Sequence, residues 1–216
     1  MIGCVICGVD EAGKGSVLGP MVIAAVGAED ESVLYGLPVK DSKLLSAKQR
    51  EALYPEIAAR CHVATVIVPA VLIDTSRAGI TMNECVARAH AAAIRKIRPA
   101  TAYVDACDVN AARYAEMVKS HLQQPCTIIS EHRADDRYRI VSAASIVAKV
   151  VRDAGIRRLS DEYGAIGSGY PSDPVTIAYL SAYIRKHNAP PPFARRSWKT
   201  VEHLLGKKEQ SRLGDF

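Results

Sequence analysis

The sequence lacks an apolar run long enough to cross a lipid bilayer. Its most apolar segment, residues 63–73, contains Pro69, whereas a membrane-spanning helix needs about 20 apolar residues. The first residues also lack the positive charges of a secretory signal. With 49% hydrophobic and 24% charged residues among 216, we expect a cytoplasmic, monomeric globular protein with no membrane partner.

A complete zinc-binding motif is also missing. Cys4 and Cys7 form one C-x-x-C, but no second one follows among the six cysteines. The pair lies in a predicted strand, where residues three apart point to opposite faces. It is either half of a metal or redox site or, as a reducing cytoplasm favours, two buried free thiols. We therefore expect no His/Cys set that could hold zinc.

Strand-like and helix-like segments alternate along the chain. Five short runs rich in apolar and β-branched residues predict strands, at residues 4–10, 21–26, 61–69, 101–106 and 126–130. Capping patterns at Ser46 and Thr81 and the apolar spacing over residues 142–163 predict helices between and after them. This order predicts an α/β fold, with a main domain over residues 1–163.

The remaining region, residues 164–216, is predicted to be helical and is the basic part of the chain. One helix is expected over residues 174–187, and a shorter one after Ser197 that stops at Gly206. The region has eight Lys or Arg against four Asp or Glu, so it accounts for four of the five net positive charges. Such a surface suits a phosphate-rich partner, although basic helices without one are common.

Acidic residues fall at the ends of three predicted strands. Asp10 and Glu11 close the first strand, Asp105 closes the fourth, and Asp135 follows the fifth. Sites in open α/β sheets form at the carboxyl ends of strands, and carboxylates gathered there repel one another unless a cation joins them. Oxygen ligands favour Mg²⁺ or Mn²⁺. The alternative, that each acid only caps a turn, stays open for any one of them.

A different pattern overlaps the first acids. Gly8-x-x-x-x-Gly13-Lys14 matches most of a nucleotide-binding P-loop and follows a predicted strand. However, position 15 is glycine, so the hydroxyl group that would bind Mg²⁺ is missing. Asp10 and Glu11 would also place two negative charges where phosphates should bind. A nucleoside triphosphatase is therefore the disfavoured alternative.

Six stretches spread over nearly the whole chain resemble one known family. They are Gly8-Val-Asp-Glu-Ala-Gly-Lys-Gly, Asp41-Ser-Lys43, Tyr103-Val-Asp105-Ala, Ser142-Ala-Ala-Ser-Ile-Val-Ala-Lys149, Gly169-Tyr170-Pro-Ser-Asp-Pro and Arg195-Arg-Ser-Trp198-Lys. In combination they resemble ribonuclease HII, and its archaeal branch in particular. The resemblance implies a ribonuclease H-like fold with a mixed five-stranded sheet flanked by helices. It also implies an endonuclease that cuts RNA strands in RNA–DNA hybrids and ribonucleotides embedded in duplex DNA.

The family pattern is four acids that hold two divalent ions, Mg²⁺ or Mn²⁺. Matched by position they are Asp10, Glu11, Asp105 and Asp135. Asp135 is preferred to its neighbour Asp136 because it lies ten residues before Ser145, the spacing found in similar sequences. Asp108 also lies nearby but is better placed to start a helix. The implied products carry a 5′-phosphate and a 3′-hydroxyl, and no protein nucleophile is required.

The resemblance also implies residues that recognise the substrate. A Gly-Arg-Gly loop in the family senses the ribose 2′-hydroxyl, largely through its backbone, and here that loop is Gly13-Lys14-Gly15. Lysine keeps the charge but loses the planar donor set of arginine. Tyr170 matches the tyrosine that stacks on the sugar at the cleavage junction. Lys43 and Lys149 are expected to contact phosphates, with an ordinary solvated role as the alternative.

The last residues resemble the motif by which replication and repair proteins bind the sliding clamp. Leu213 and Phe216 would form one face of a helical turn that enters an apolar pocket, and Gln210 would fill a polar site beside it. Short patterns also arise by chance. The implied roles are ribonucleotide removal and RNA-primer clearance, and the alternative from another class is a non-catalytic duplex-binding protein.

Overall fold

The computed structural model describes residues 5–39 and 44–213, with residues 207–213 as backbone only. Within this part of the chain, five strands alternate with eight helices, and one short 3-10 turn lies at Glu31–Leu34. The strands are β1 (Ile6–Ala12), β2 (Met21–Ala28), β3 (His62–Val68), β4 (Thr101–Asp105) and β5 (Thr127–Glu131). The helices are α1 (Ala47–Arg60), α2 (Ala70–Arg77), α3 (Met82–Ile97), α4 (Ala111–Ser120), α5 (Ala134–Arg137), α6 (Arg139–Tyr163), α7 (Pro174–His187) and α8 (Lys199–Leu213).

The strands form one mixed sheet in the order β3-β2-β1-β4-β5. Strand β1 runs antiparallel to β2, with Ile6 opposite Ala28 and Ala12 opposite Val22. On its other side β1 runs parallel to β4, which in turn runs parallel to β5. The expected α/β fold with a mixed five-stranded sheet is confirmed. The carboxyl ends of β1, β4 and β5 consequently point the same way.

Folding buries the sheet against helix α6. Every residue of β2 is buried, and so are all residues from 140 to 148 in α6. Gly8 in β1 marks the closest approach, because a Cβ at this position would overlap the backbone carbonyl of Ile140 and the nitrogen of Val141. Gly8 is therefore a packing residue inside a paired strand. A P-loop would need a loop after Gly8, but the strand continues to Ala12, which argues against that alternative.

By its contacts the chain divides into two compact units. The first contains residues up to Ala12, Val22–Ile67 and Thr81–Val151, and the second contains Gly13–Met21, Val68–Ile80 and residues from Arg152 onward. Each unit has its own hydrophobic core. The sequence-based boundary after residue 163 stays a prediction. None of the helices within the described ranges has the length and apolar content of a membrane span.

Helix starts that depend on local side-chain caps agree with the sequence prediction. Ser46 forms a reciprocal capping box with Gln49 at the start of α1, and Thr81 accepts a hydrogen bond from the N–H of Glu84 at the start of α3. Asp173 caps α7, whose first residue is the proline that follows it. These contacts form between residues at most three positions apart, so the sequence alone contains the signal.

Helix α2 and the end of helix α8 differ from the sequence prediction. Helix α2 was not expected, because it is short and rich in β-branched residues, and it depends on burial of Ala70 and Ile73. The prediction that the last helix stops at Gly206 is wrong, since α8 continues to Leu213. A glycine inside a helix costs only about 1 kcal/mol relative to alanine, so it does not end a helix whose flanking residues favour helical structure.

Two glycine-to-alanine changes test the packing at the sheet. Gly8→Ala should lower the free energy of unfolding by about 3 kcal/mol, at the upper end of typical overpacking costs, because neither backbone group of α6 can move freely. Gly206→Ala makes the same chemical change in an open helical position and should raise stability by up to about 1 kcal/mol. Urea unfolding measures both, and equal midpoints for the two variants would contradict the packing assigned to Gly8.

Candidate active site

Two neighbouring strands bring acidic residues together at their carboxyl ends. The last paired positions of β1 and β4 are Val9 and Val104, so Asp10 and Asp105 follow at adjacent positions. Because the strands are parallel, both acids lie at the same edge of the sheet, where sites in α/β folds form. The negative charge of Asp105 is close enough to raise the pKa of Asp10.

Asp10 is surrounded by groups that oppose its ionisation. It is 6% exposed, and burial, followed by the charges of Glu11 and Asp105, raises its pKa well above the ordinary value. In the other direction, the Ser145 hydroxyl and the N–H of Glu11 hydrogen-bond its carboxylate, the latter at 2.7 Å. A nearby cation would remove the opposition to ionisation. The oxygen donors present fit Mg²⁺ or Mn²⁺.

Asp105 connects the end of β4 to the short helix α5. Its Oδ1 accepts a hydrogen bond from the N–H of Ala134 at 2.9 Å, and Asp135 is the next residue. Asp135 is 4% exposed, whereas Asp136 is exposed and pairs with Arg133 at 2.7 Å. The difference in burial agrees with the choice of Asp135 over Asp136. Its role in the site stays a prediction.

Asp108, the other acid that follows β4, is bound by protein groups. It accepts hydrogen bonds from the N–H of Asn110 at 2.8 Å, from Arg113 at 2.5 Å and from Asn83 at 3.1 Å. These contacts, with the Asn110 N–H as the largest cause, hold its pKa below the ordinary value. Asp108 therefore stabilises the loop ahead of α4, and Asn110 rather than Asp108 caps the start of that helix.

Glu11 points to the opposite face of the sheet from Asp10, because successive residues of a strand alternate. The Cys107 thiol donates a hydrogen bond to its Oε1 at 2.9 Å, and His90 Nε2 lies 3.2 Å from its Oε2. The Tyr114 hydroxyl lies 3.2 Å from His90 Nδ1, and both rings are fully buried. Burial, with the charges of Cys107 and Glu11 nearby, raises the pKa of Tyr114, so its hydroxyl stays protonated.

This contact set was not expected from the sequence, which showed no His/Cys set suited to zinc. Donor atoms of Glu11, His90 and Cys107 all lie within 4.8 Å of one another. The only available signal was a lone histidine on the buried face of α3, which is usually a packing residue. Of the C-x-x-C cysteines, Cys7 is a buried thiol in β1 and does not belong to this set, and Cys4 lies outside the described residues.

Lys149 extends the hydrogen-bond network around Asp10. Its Nζ donates to the Ser145 hydroxyl at 2.8 Å, one turn earlier on α6. Ser145 in turn hydrogen-bonds Asp10. The ammonium group is thus linked to Asp10 through one hydroxyl group. The predicted contact of Lys149 with phosphate stays a prediction, and the role of Ser145 was missed because the sequence shows only a small residue on a helix.

In the second unit, one buried arginine holds the predicted glycine loop. The guanidinium of Arg195 donates to the carbonyls of Gly13 at 2.6 Å and Lys14 at 2.7 Å, and it lies 5.0 Å from the centre of the Trp198 ring. Gly13 has a φ of 81°, which favours glycine. Gly15 is exposed, with open space where a side chain would be. The backbone of the loop is therefore fixed while its tip stays accessible.

Tyr170 belongs to the same unit and lies close to this loop. The guanidinium of Arg152 lies 4.6 Å from the centre of the Tyr170 ring, and a Cβ at Gly13 would lie 3.4 Å from the Arg152 side chain. The carbonyl of Gly169 accepts a hydrogen bond from the N–H of Val17 at 2.8 Å. The structure thus brings the predicted loop and the predicted tyrosine together, through an arginine that the sequence analysis did not single out.

Four other predicted site residues cannot be placed in this way. Lys43 and Phe216 lie outside the described residues. Gln210 and Leu213 belong to the backbone of α8, and their side chains are likewise outside the described part. The expected contacts of these four residues stay predictions.

The whole chain is similar to proteins of one known family. A family model described as ribonuclease HII matches residues 7–201. Ribonuclease HII of Methanoregula boonei is 60% identical over 211 residues, which cover 98% of this chain and 99% of that protein. The crystal structure of ribonuclease H2 from Pyrococcus horikoshii has a TM-score of 0.89 at 39% identity, covering 95% of this chain and 99% of that one. The ribonuclease HII solved in a complex with PCNA from Archaeoglobus fulgidus has a TM-score of 0.85 at 41% identity, covering 92% of this chain and 96% of that one.

The raised pKa of Asp10 predicts how metal-free stability depends on pH. Folding favours the protonated form of Asp10, so ionisation of Asp10 destabilises the folded protein at a pH above the raised pKa. This loss of stability disappears below about pH 4, where Asp10 is protonated in the unfolded chain as well. Asp10→Asn should therefore raise the melting temperature in a chelating buffer near neutral pH, by about 2–4 °C for each kcal/mol of repulsion removed. Added Mg²⁺ should stabilise the original protein more than the variant.

Asp108→Asn is the control with the opposite sign. Its pKa is lowered, so the ionised form stabilises the fold above the ordinary pKa, and that contribution is lost as the pH falls through the lowered value. The variant should melt below the original protein near neutral pH and approach it in acid. Thermal melts of both variants across pH decide the matter, and a destabilised Asp10→Asn protein in the chelating buffer would contradict the crowding of acids at this site.

Proposed function

This chain belongs to the ribonuclease HII family and is an endoribonuclease that hydrolyses RNA in RNA–DNA hybrids; from that premise we propose that it also cuts at single ribonucleotides in duplex DNA and uses two divalent ions. The observation that carries the proposal is the pair of the buried Asp10 and the partly buried Asp105 on adjacent parallel strands, with the pKa of Asp10 raised by its surroundings. A cluster of this kind gains both stability and reactivity from bound cations.

Asp10, Glu11, Asp105 and Asp135 would hold the ions, and Mg²⁺ and Mn²⁺ are the metals that suit their oxygen atoms. When bound, the two ions would supply activation of a water molecule and stabilisation of the leaving 3′-oxygen. The products would then be a 5′-phosphate and a 3′-hydroxyl. Cleavage needs no protein nucleophile, which is consistent with a site built from carboxylates.

The remaining groups around the acids position them. Ser145 and the N–H of Glu11 orient the Asp10 carboxylate, and the N–H of Ala134 orients that of Asp105. Lys149 fixes the Ser145 hydroxyl through its own hydrogen bond. Each carboxylate therefore keeps oxygen lone pairs for a cation while its orientation is set by the protein, which is how neighbouring groups tune a metal site.

Gly13, Lys14 and Gly15 are proposed to recognise the ribose. Glycine lets the backbone approach a sugar closely because no Cβ intervenes, and the 2′-hydroxyl both donates and accepts hydrogen bonds. Arg195 holds the carbonyls of Gly13 and Lys14, so the loop is ordered before substrate binds. Tyr170, with Arg152 beside its ring, offers a flat apolar surface on which a sugar can stack.

A clamp-binding role is proposed for the tail. The relative from Archaeoglobus fulgidus was solved in a complex with PCNA, and it is 41% identical to this chain. This supports the interpretation of Gln210, Leu213 and Phe216 as a motif for a sliding clamp. Attachment to a clamp would place the enzyme on newly replicated DNA, where ribonucleotide removal and RNA-primer clearance take place.

The substrate assay uses a DNA duplex with one embedded ribonucleotide, incubated with Mg²⁺ or Mn²⁺. We expect a nick on the 5′ side of the ribonucleotide, and an all-DNA duplex should stay intact. Binding without nicking would favour a non-catalytic duplex-binding protein, and ATP hydrolysis without nucleic acid would favour a nucleotide hydrolase. Either result would contradict the proposal.

Neighbouring aspartates provide a matched test of the proposed ligands. Asp105→Asn and Asp135→Asn should each lower the cleavage rate by about 100-fold or more, because several kcal/mol of charge stabilisation are lost. Folding and hybrid binding should persist in both. Asp136→Asn weakens a surface ion pair with Arg133 and should leave the rate within about twofold, because exposed ion pairs contribute little. Near-normal cleavage by Asp135→Asn would remove that residue from the site.

Deletion of residues 210–216 tests the tail separately. The truncated protein should lose binding to an archaeal sliding clamp, measured by surface plasmon resonance, because the proposed contact residues are gone. Its rate on a short duplex without clamp should equal that of the full chain. Unchanged clamp affinity would refute the assignment of this segment.

A further inference from the structure

Glu11, His90 and Cys107 form a cluster of unlike donor atoms on the face of the sheet opposite Asp10. They come from β1, from α3 and from the loop after β4. The Cys107 thiol donates to one oxygen of Glu11 at 2.9 Å, and His90 Nε2 lies 3.2 Å from the other. One donor atom from each residue lies within 4.8 Å of the other two. Within the described part of the chain, this is the one group of three or more His, Cys, Asp or Glu residues whose donor atoms lie so close together.

We propose that these three residues bind a thiophilic divalent cation of the zinc class, and that this cation inhibits the enzyme by withdrawing Glu11. Thiolate, imidazole and carboxylate are the ligands of tetrahedral zinc, which often binds three protein groups and keeps a fourth position for water. Mg²⁺ and Mn²⁺ prefer oxygen atoms alone. The two faces of β1 therefore suit different metals.

The hydrogen bonds already present orient the three donors towards a common point. The Cys107 S–H is directed at the Glu11 carboxylate, so a cation between them would replace that hydrogen, and one proton would leave to solvent. His90 would bind through Nε2, with its remaining proton on Nδ1. The Tyr114 hydroxyl oxygen, 3.2 Å from Nδ1, can accept it. An imidazole that donates from its other nitrogen to a fixed partner is the usual arrangement of a metal-bound histidine.

Burial makes this geometry persistent. His90 and Tyr114 are fully buried, with their rings edge to face at 5.8 Å between centroids. Neither ring can turn without disturbing the packing of α3 against α4. Cys107 is only partly buried, so a cation could enter from that side. The site therefore combines one fixed ligand, His90, with one accessible thiol.

The inhibitory part of the inference rests on the proposed function, in which Glu11 is a ligand of the catalytic ions. A carboxylate turned towards His90 and Cys107 by a tightly bound cation would not be available to the ions held with Asp10. Zinc-class metals bind nitrogen and sulfur donors more strongly than Mg²⁺ or Mn²⁺. Inhibition should therefore persist when Mg²⁺ is present in large excess.

Co²⁺ is a spectroscopic probe for binding, because cobalt bound to a thiolate gives a charge-transfer absorption that an all-oxygen site does not. The full chain should show this absorption, saturating near one equivalent of Co²⁺, and added Zn²⁺ should remove it. Cys107→Ser should abolish the band. Cys126→Ser, which changes another partly buried cysteine, should keep it. Absence of the band in the full chain, or its survival in Cys107→Ser, would overturn the site.

Zinc inhibition of cleavage tests the second part. With Mg²⁺ in excess, Zn²⁺ should inhibit the original protein near one equivalent, and Cys107→Ser should need at least about tenfold more Zn²⁺, each relative to its own zinc-free rate. Equal sensitivity of the two proteins would overturn the competition through Glu11. A protein that shows the cobalt band but cuts nothing without zinc would contradict the proposed function and still support the metal site.

Discussion

Repulsion among Asp10, Glu11 and Asp105 is the constraint around which the first unit is organised. Parallel pairing of β1 and β4 places Asp10 beside Asp105, and burial then denies Asp10 the water that would screen its charge. A fold seldom accumulates like charges at a buried position without a compensating ligand. The hydrogen bonds from Ser145 and from the N–H of Ala134 offset only part of the cost. The rest explains why a site of this composition depends on cations.

Strand β1 places Asp10 and Glu11 next to each other, but it directs their side chains to different neighbouring residues. Asp10 faces α6, where Ser145 supplies a hydroxyl group, and Glu11 faces α3 and α4, where His90 and Tyr114 form a buried pair. Alternation along a strand makes this separation unavoidable for adjacent residues. Two neighbouring carboxylates can therefore be given different surroundings, and different affinities for metals, by changing residues on opposite faces of one sheet.

Local signals explain what could be predicted from the sequence, and long-range contacts explain what could not. The caps at Ser46 and Thr81 join residues three apart, so the helix starts were predictable. The acids at strand ends could be located by pattern and by family resemblance. By contrast, His90 is 79 positions from Glu11, and no periodicity or spacing links them. That contact exists only because α3 packs across β1, which a residue pattern does not specify.

The contacts of Arg195 are also long-range contacts that the sequence does not reveal. They show which part of the glycine loop does not depend on the side chain of Lys14. Arg195 lies 182 positions from Gly13, is fully buried and donates hydrogen bonds to backbone carbonyls. Those carbonyls, including that of Lys14, are held whatever side chain the residue carries. Replacement of the family arginine by lysine therefore leaves the support of the loop intact. The lysine itself carries a compact ammonium group, whereas arginine would carry a planar set of donors.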